Sequence, residues 1–350
     1  MSPHRRTPRR ERLGPMTRGL GPSAGAQWLA RWTLPLALLA LLLWPALHAR
    51  AETFPSRPIR IIVGQTPGNA PDTLARMVAE RLSVLLKTPV TVENRSGASG
   101  TIAADLVARA PADGYTLLMG GLSNLITASL LQTGVPYDPV RDFTPIGRVA
   151  YTPFVLVATA SLPVTNIPEL LAYAKSHPGT VTLGTFGEGS LGRLIYEMLR
   201  ATTGVELLQV PYKGVGAAVA DVIAGRLDLN LNDFENASPH EKTGRLRILA
   251  AVGSRRAPGA DNVPTVAEQG VAGFAIDAWY GLLAPAGTPP DVIDKLAAAL
   301  DKARRVPAFR QRLDELHHIP IDDTPVEFGA AIRSDSARFA DMVRRAQRGK

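Results

Sequence analysis

The stretch that decides the fold is Ile59–Arg76, which reads IRIIVGQTPGNAPDTLAR. Its apolar start predicts a buried strand, its Gly, Pro, Asn and Asp residues predict a loop, and its end predicts an amphipathic helix. The same order returns about 120 residues later in Thr180–Leu194, TVTLGTFGEGSLGRL. Two strand–loop–helix units at matching positions predict a ligand held between paired helix N-termini.

Each unit opens a β-α-β-α-β pattern, in which short apolar runs alternate with segments whose apolar residues recur at helical spacing. The predicted strands of the first copy are Ile59–Val63, Val90–Glu93 and Tyr115–Met119, and those of the second are Thr180–Gly184, Leu207–Val210 and Leu227–Leu231. This alternation predicts two doubly wound α/β domains of similar topology.

Two apolar runs are candidates for strands that cross between the domains, Pro153–Ala158 outward and Trp279–Ala284 back. The predicted first domain is therefore 52–154 with 280–350, and the second is 155–279. We expect the C-terminal helices to pack on the first domain. Two crossings form a hinge suited to closure about a ligand.

The net charge of +8 is concentrated at the N-terminus, because residues 1–51 hold eight arginines and one acidic residue. The remaining residues carry 31 basic and 30 acidic side chains. A nearly neutral body lacks the basic surface that a nucleic acid requires, so we expect no nucleic-acid partner.

Residues 1–51 have the pattern of a cleavable signal peptide. Arginines precede the apolar segment Leu34–Leu47, and Ala49-Arg50-Ala51 supplies the small-residue cleavage pattern, which predicts Glu52 as the mature N-terminus. The alternative is a membrane anchor, but 14 apolar-rich residues with two prolines fall short of the roughly 20 that a spanning helix needs. We therefore expect export to the periplasm.

The sequence predicts no catalytic residue, metal site or cofactor. It has no cysteine, and His177, His240, His317 and His318 lack metal-ligand spacing. One alternative remains, because Gly187–Gly192 matches the dinucleotide pattern G-x-G-x-x-G after a strand. The acidic residue expected at the end of the next strand is absent, so a tight turn that binds a smaller anion is the favoured interpretation.

Several polar residues beside the two loops are candidates for ligand contacts. Asp72 has the position of a helix cap, which we favour over a ligand contact. Arg193 is either a ligand for a carboxylate or an exposed helical residue. Asn124, Asn232 and Asp233 follow the third strands of the two copies, where open α/β sheets place ligands.

The chain resembles the Bug-type solute-binding proteins of tripartite tricarboxylate transporters from about Phe54 to about Val343. The similarity lies in ordered motifs along the whole of this region. They are Phe54-Pro-Ser-Arg-Pro-Ile-Arg60, Val92-Glu-Asn-Arg-Ser-Gly97, Ala110-Pro-Ala-Asp-Gly-Tyr-Thr-Leu-Leu118, Pro136-Tyr-Asp-Pro-Val-Arg-Asp-Phe143, Val210-Pro-Tyr-Lys-Gly214, Val263-Pro-Thr-Val-Ala-Glu268 and Tyr280-Gly-Leu-Leu-Ala-Pro-Ala-Gly-Thr-Pro289.

The resemblance implies a periplasmic-binding-protein-like fold, in which two domains grip a small organic carboxylate for membrane transporter subunits. By position, the first gripping loop is Thr66–Asp72 and the second is Phe186–Arg193. The candidate ligand-binding residues are Thr66, Gly68, Asn69, Asp72, Asn124, Phe186, Gly187, Glu188, Gly189, Ser190, Arg193, Asn232 and Asp233. We expect a monomer without a cofactor.

The sequence departs from the family at both loops. Gly68-Asn69-Ala70-Pro71 stands where the family has a run of glycines, and Pro71 removes one N–H donor. Glu188 replaces a typically neutral residue, and Asn232-Asp233 reverses the usual Asp-Asn order. The alternatives to transport are a ligand sensor for a signalling partner and a nucleotide-dependent α/β enzyme.

Overall fold

The computed structural model describes residues 53–187, 189–212 and 215–348, with side chains described through residue 345. The predicted signal peptide, its cleavage position before Glu52, and Glu188 lie outside the described residues. Residues from Phe54 onward form one compact unit. None of the described helices has the length and apolar character of a membrane span.

The described chain folds into eleven strands and ten α-helices. The strands are β1 Ile59–Val63, β2 Val90–Asn94, β3 Thr116–Gly121, β4 Phe143–Tyr151, β5 Phe154–Thr159, β6 Thr182–Thr185, β7 Leu208–Pro211, β8 Leu229–Asp233, β9 Leu246–Ala251, β10 Trp279–Pro285 and β11 Ile319–Pro320. The helices are α1 Ala70–Leu86, α2 Thr101–Ala108, α3 Ala128–Leu131, α4 Ile167–Ser176, α5 Leu191–Thr203, α6 Val215–Ile223, α7 Phe234–Lys242, α8 Pro290–Arg304, α9 Pro307–Glu315 and α10 Pro325–Arg348.

The strands form two sheets, and each sheet is the centre of one lobe. The first sheet has the order β11-β4-β10-β3-β1-β2, and the second has the order β7-β6-β8-β5-β9. In the first, β1 pairs in parallel with β2 and β3; in the second, β6 pairs in parallel with β7 and β8. The predicted duplication of a doubly wound unit is confirmed.

The chain crosses from the first sheet to the second and back at the two apolar runs that predicted these crossings. The chain leaves the first sheet after Tyr151 and enters the second at Phe154, where β5 pairs antiparallel with β8 and β9. It returns at Trp279, where β10 pairs antiparallel with β3 and β4. The exact domain boundaries, 52–154 with 280–350 and 155–279, stay a prediction.

The central parallel strands are apolar on both faces, because helices cover both sides of the sheet. Ile59, Ile61, Ile62 and Val63 of β1 are fully buried between helices on opposite faces of the first sheet. Helix α1 covers the same face as α8, against which it packs. The loop after β1 is therefore fixed at both ends, by a buried strand and by a packed helix.

The C-terminal helices do not all pack on the first lobe as expected. Helix α8 packs on β4 and α1, but α10 packs on β4 of the first lobe and on α5 of the second. Phe339 and Val343 of α10 belong to the same buried cluster as Leu194 of α5. The apolar stripe of α10 is long enough to cover both lobes, which is why it contacts both.

Candidate functional site

A cavity of about 850 Å³ lies between the two lobes. Its walls come from the segments that follow β1, β2 and β3 in the first lobe, and from the loops after β6 and β7 and the end of β8 in the second. These are the carboxyl ends of the parallel strands, where open α/β sheets place their ligands. The volume is within the range of small-molecule pockets.

Five helices begin at the wall of this cavity; the Asp233 carboxylate caps one of them, α7, and the other four have no carboxylate at the cap. The first residues or caps of these four line it, namely Asn69 before α1, Gly100 before α2, Ser190 before α5 and Val215 at the start of α6. Each helix N-terminus carries a partial positive charge and N–H groups without partners inside the helix. The cavity is therefore favourable for an anion although, within the described part of the chain, no lysine or arginine lines it.

The first gripping loop presents only part of its predicted set to the cavity. Thr66 and Asn69 line it, and the Asn69 side-chain amide donates to the Thr66 hydroxyl at 2.9 Å. Gly68 lines a second cavity of about 470 Å³, outside the loop, with Val215 and His240. Asp72 lines neither of these cavities.

Asp72 is instead the buried anchor of that loop. Its carboxylate accepts from the Gly68 N–H at 3.0 Å, the Asn94 side chain at 2.9 Å and the Arg76 guanidinium at 2.9 Å. Burial disfavours its charge, but the hydrogen bonds from Arg76, Gly68 and Asn94 outweigh burial and lower the pKa of Asp72. Asp72 is the third residue of α1, while Asn69 has the cap position without a side-chain cap bond.

The second gripping loop contacts the first lobe as well as the cavity. Phe186, Gly187 and Ser190 line the cavity, and the Ser190 hydroxyl caps α5 by accepting from the Arg193 N–H at 3.2 Å. Gly189 does not line the cavity but packs against α3 of the first lobe, where a Cβ on Gly189 would lie 2.7 Å from the Ala128 Cα. The backbone of this loop thus contacts the first lobe directly.

The Arg193 side chain does not line the cavity. It forms an ion pair with Glu197 at 2.8 Å and donates to Gln209 at 3.2 Å. The i, i+4 spacing of Arg193 and Glu197 places both on one helix face.

The ends of the third strands differ between the lobes. In the first lobe Asn124 does not line the cavity, since its side-chain oxygen accepts from the Gly121 N–H at 2.8 Å. In the second lobe Asn232 and Asp233 both line it. Asp233 caps α7 by accepting from the Asn236 N–H at 3.1 Å, and burial raises its pKa to about 6.

A left-handed turn after β2 is one part of the site that the sequence did not predict. Gly97, Ala98, Ser99 and Gly100 have φ values of 137°, 48°, 58° and 88°, and all four line the cavity. Positive φ is strained for Ala98 and Ser99, and such strain is found preferentially at functional sites. The two glycines that flank the turn were the available signal.

Two hydrogen bonds join the lobes beside the cavity. The Ser99 hydroxyl donates to the Phe186 carbonyl at 3.3 Å, and the Thr127 hydroxyl donates to the Gly189 carbonyl at 2.5 Å. Both acceptors belong to the second gripping loop. The structure therefore has the two lobes in contact around the site.

The fold and the cavity define a two-lobed binding protein with its site between the lobes. A family model described as the tripartite tricarboxylate transporter family receptor matches residues 74–346. The chain belongs to this family, as the motifs quoted above indicate.

Three similar proteins illustrate the family. BugT of Bordetella pertussis is 34% identical over 295 residues, which are 84% of this chain and 90% of BugT. A structure of an R. palustris protein with adipate is 34% identical, with a TM-score of 0.79 over 84% of this chain and 98% of that one. MatC of Rhodopseudomonas palustris, with bound malate, is 32% identical, with a TM-score of 0.77 over 83% of this chain and 100% of MatC.

Groups of three or more His, Cys, Asp or Glu residues that could hold a metal ion are absent from the described part of the chain. The expectations of no metal, no cofactor and a monomer stay predictions.

Proposed function

We propose that this protein captures a small organic carboxylate in the cavity between its lobes. The observation that carries the proposal is the group of four helix N-termini without a capping carboxylate at one cavity whose described lining contains no lysine or arginine. Helix dipoles and backbone N–H groups stabilise an anion without a fixed cationic side chain. The adipate and malate of the two related structures have the same chemistry.

The two lobes give this capture its mechanism. Closure of the lobes removes water from the carboxylate and so strengthens its interaction with the helix N-termini. The contacts of Ser99 and Thr127 with the second gripping loop complete the closed form. Release then follows when these contacts open, without any chemical change in the ligand.

We further propose that the protein works in the periplasm, after cleavage before Glu52, as a monomer. It would deliver its ligand to the membrane subunits of a tripartite tricarboxylate-type transporter. Its family supports this role, since the matching model describes a transporter receptor. Delivery is tested by uptake of labelled ligand in cells with and without this gene, with the transporter genes present in both.

The binding test is a calorimetric titration of ligand-free protein with a panel of mono-, di- and tricarboxylates. Val215→Trp is the blocking variant, because Val215 lines the cavity at the start of α6. Val326→Trp is its control, since Val326 is also in the first turn of a helix and is 78% exposed. We expect binding by the wild type and by Val326→Trp, and at least tenfold weaker binding by Val215→Trp.

Binding of ATP or NADH, lost in Gly189→Asp, would instead support the nucleotide-dependent enzyme. Ligand binding with no effect on uptake, in a strain that has a sensor kinase beside this gene, would support the sensor. A folded, ligand-free protein that binds no carboxylate would contradict the proposed function.

A further inference from the structure

The electrostatic character of the cavity is not uniform, because one ionisable carboxyl group stands in its wall. Asp233 lines the cavity and is 5% exposed. It is the sole Asp, Glu, Lys or Arg in the lining, as far as the described residues extend. Buried carboxylates are normally paired with a cation or fully hydrogen-bonded.

The described partners of Asp233 include no cation. Its carboxylate interacts with the backbone N–H and the side chain of Asn236 and with its own backbone N–H, and none of the described cations forms an ion pair with it. The nearby Tyr280 hydroxyl and Glu235 carboxyl supply no positive charge, and their pKa values are raised. The N-terminus of α7 is thus already occupied by a carboxylate of the protein itself.

Asn232 provides a second and independent observation. It lines the cavity beside Asp233 and is 1% exposed, yet neither its side-chain oxygen nor its side-chain nitrogen has a hydrogen-bond partner among the described residues. A buried amide without partners costs free energy, so such groups normally contact a water or a ligand. Asn232 and Asp233 together offer acceptors to a group inside the cavity.

Apolar side chains make up much of the remaining wall. Phe154, Phe186, Leu191 and Leu231 line it together with the helix N-termini. A ligand in this cavity therefore meets a site for its carboxylate, apolar side chains along its body, and acceptors at Asn232 and Asp233.

We infer that the ligand is a carboxylate that also carries an ammonium group, and that Asp233 and Asn232 accept hydrogen bonds from this ammonium group. This inference rests on the proposed function. Asp233 is then the residue that selects amino-substituted carboxylates over dicarboxylates, because the Asp233 carboxylate would repel the second carboxylate of a dicarboxylate. An ionised partner makes such a hydrogen bond about twice as strong as a neutral one.

The test compares trios of ligands that differ in one group only. Hexanoate, 6-aminohexanoate and adipate form one trio, and 4-methylbenzoate, 4-(aminomethyl)benzoate and terephthalate form a rigid one; α-amino acids with their deaminated and α-carboxylated counterparts form others. Calorimetry at pH 8 measures Kd for each. We expect the amino member of the best-bound trio to bind at least about tenfold tighter than both others.

The variant Asp233→Asn removes the charge and keeps a side chain suited to cap α7. We expect it to abolish the preference for the amino member and to improve dicarboxylate binding. Glu235→Gln is the matched control, since it removes a negative charge two residues away that does not line the cavity. It should retain the preference.

The wild-type comparison tests the inference even if Asp233→Asn does not fold. Carboxylate binding without preference for the amino member, or with preference for the dicarboxylate, overturns the inference and leaves the proposed function intact. Failure of the full carboxylate panel to bind overturns the proposed function, and the inference with it.

Discussion

The hydroxyl group of Thr127 donates a hydrogen bond to the carbonyl oxygen of Gly189, 2.5 Å away, and so connects the two lobes at a buried point. Thr127 ends the π-helical turn Leu122–Thr127 that follows β3, and Gly189 lies in the loop that follows β6. The close approach depends on the missing side chain at Gly189, whose Cβ would lie 2.7 Å from the Ala128 Cα. The lobe contact is therefore sensitive to a single methyl group.

Gly189→Ala should weaken ligand binding without unfolding the protein. The added methyl group pushes the second gripping loop away from α3 and removes the Thr127 hydrogen bond. We expect Kd for the best carboxylate to rise at least about tenfold, since a buried hydrogen bond and its packing are lost. Calorimetric titration measures the change.

Gly216→Ala is the control for this substitution. A Cβ at Gly216 meets nothing within 4 Å, and alanine stabilises a helix relative to glycine by about 0.5–1 kcal/mol. Equal affinity in Gly189→Ala and the wild type would show that the Thr127–Gly189 contact is not needed for binding.

Asp72→Asn should loosen the first gripping loop. The asparagine amide group cannot accept all the bonds that the carboxylate receives from Gly68, Arg76 and Asn94. We expect the free energy of unfolding to fall by about 1–3 kcal/mol and ligand affinity to fall as well. Urea unfolding and titration measure the two effects.

The matched control is Asp105→Asn, which breaks another i, i+4 pair with arginine, on the surface of α2. Exposed pairs of this kind contribute less than about 1 kcal/mol. If both variants lost the same stability, Asp72 would be an ordinary surface partner of Arg76 and not the anchor of the loop.

Asp323→Asn should destabilise the protein and spare the site. Asp323 is buried beside Arg148 and Arg304, with distances of 2.6 Å and 3.4 Å to their guanidinium groups. Its loss removes the carboxylate of the Arg148 pair and leaves the buried Arg304 with only the more distant Asp301, at 3.8 Å, for which we expect about 3–5 kcal/mol of destabilisation. A free energy of unfolding close to that of the wild type would contradict the expected role of Asp323 in stability. A large change in ligand affinity would contradict the expectation that Asp323 does not contribute to the site.

Asp233 and His318 should impose opposite pH dependences on stability. Burial raises the pKa of Asp233 to about 6, above the ordinary 3.8, so between these values the folded state holds a proton that the unfolded chain has released. The stability from Asp233 therefore falls as pH rises. Burial lowers the pKa of His318 to about 4, below the ordinary 6.5, so the stability from His318 is lost as pH falls through this range.

The two contributions oppose each other between pH 4 and pH 6 in the wild type. Asp233→Asn should leave only the His318 contribution of this pair. The free energy of unfolding should then rise more steeply with pH, by the slope that corresponds to a difference of about one bound proton between the unfolded and folded states. His318→Gln should change the slope in the opposite direction, while Glu235, whose pKa burial also raises, titrates in both variants. Urea unfolding at several pH values tests this; parallel profiles for all three proteins would contradict it.

Much of the fold could be predicted from the sequence, because the buried strands have strong local patterns. The apolar runs at Ile59–Val63 and Leu227–Leu231 are each followed by glycine or asparagine, and the repeated pattern predicted the parallel strands of both sheets. The packing of α10 on both lobes was not predictable, since an apolar stripe does not reveal which surface it covers.

The site was only partly predictable, because local hydrogen bonds decide which polar side chains reach the cavity. Asn124 and Arg193 have positions suited to a site, but Gly121 engages the first, and Gln209 and Glu197 engage the second. The left-handed conformation of Ala98 and Ser99 depends on tertiary contacts such as the bond from Ser99 to Phe186. Residue types alone do not encode such contacts.

The most direct test of carboxylate capture between the lobes is a crystal structure of the protein isolated from the periplasm with its ligand retained. We expect electron density for an organic carboxylate between Asn69 and Ser190, with its oxygens about 3 Å from backbone N–H groups at the helix N-termini. A nucleotide in this cavity, a ligand without a carboxylate, or a carboxylate bound elsewhere would contradict carboxylate capture between the lobes.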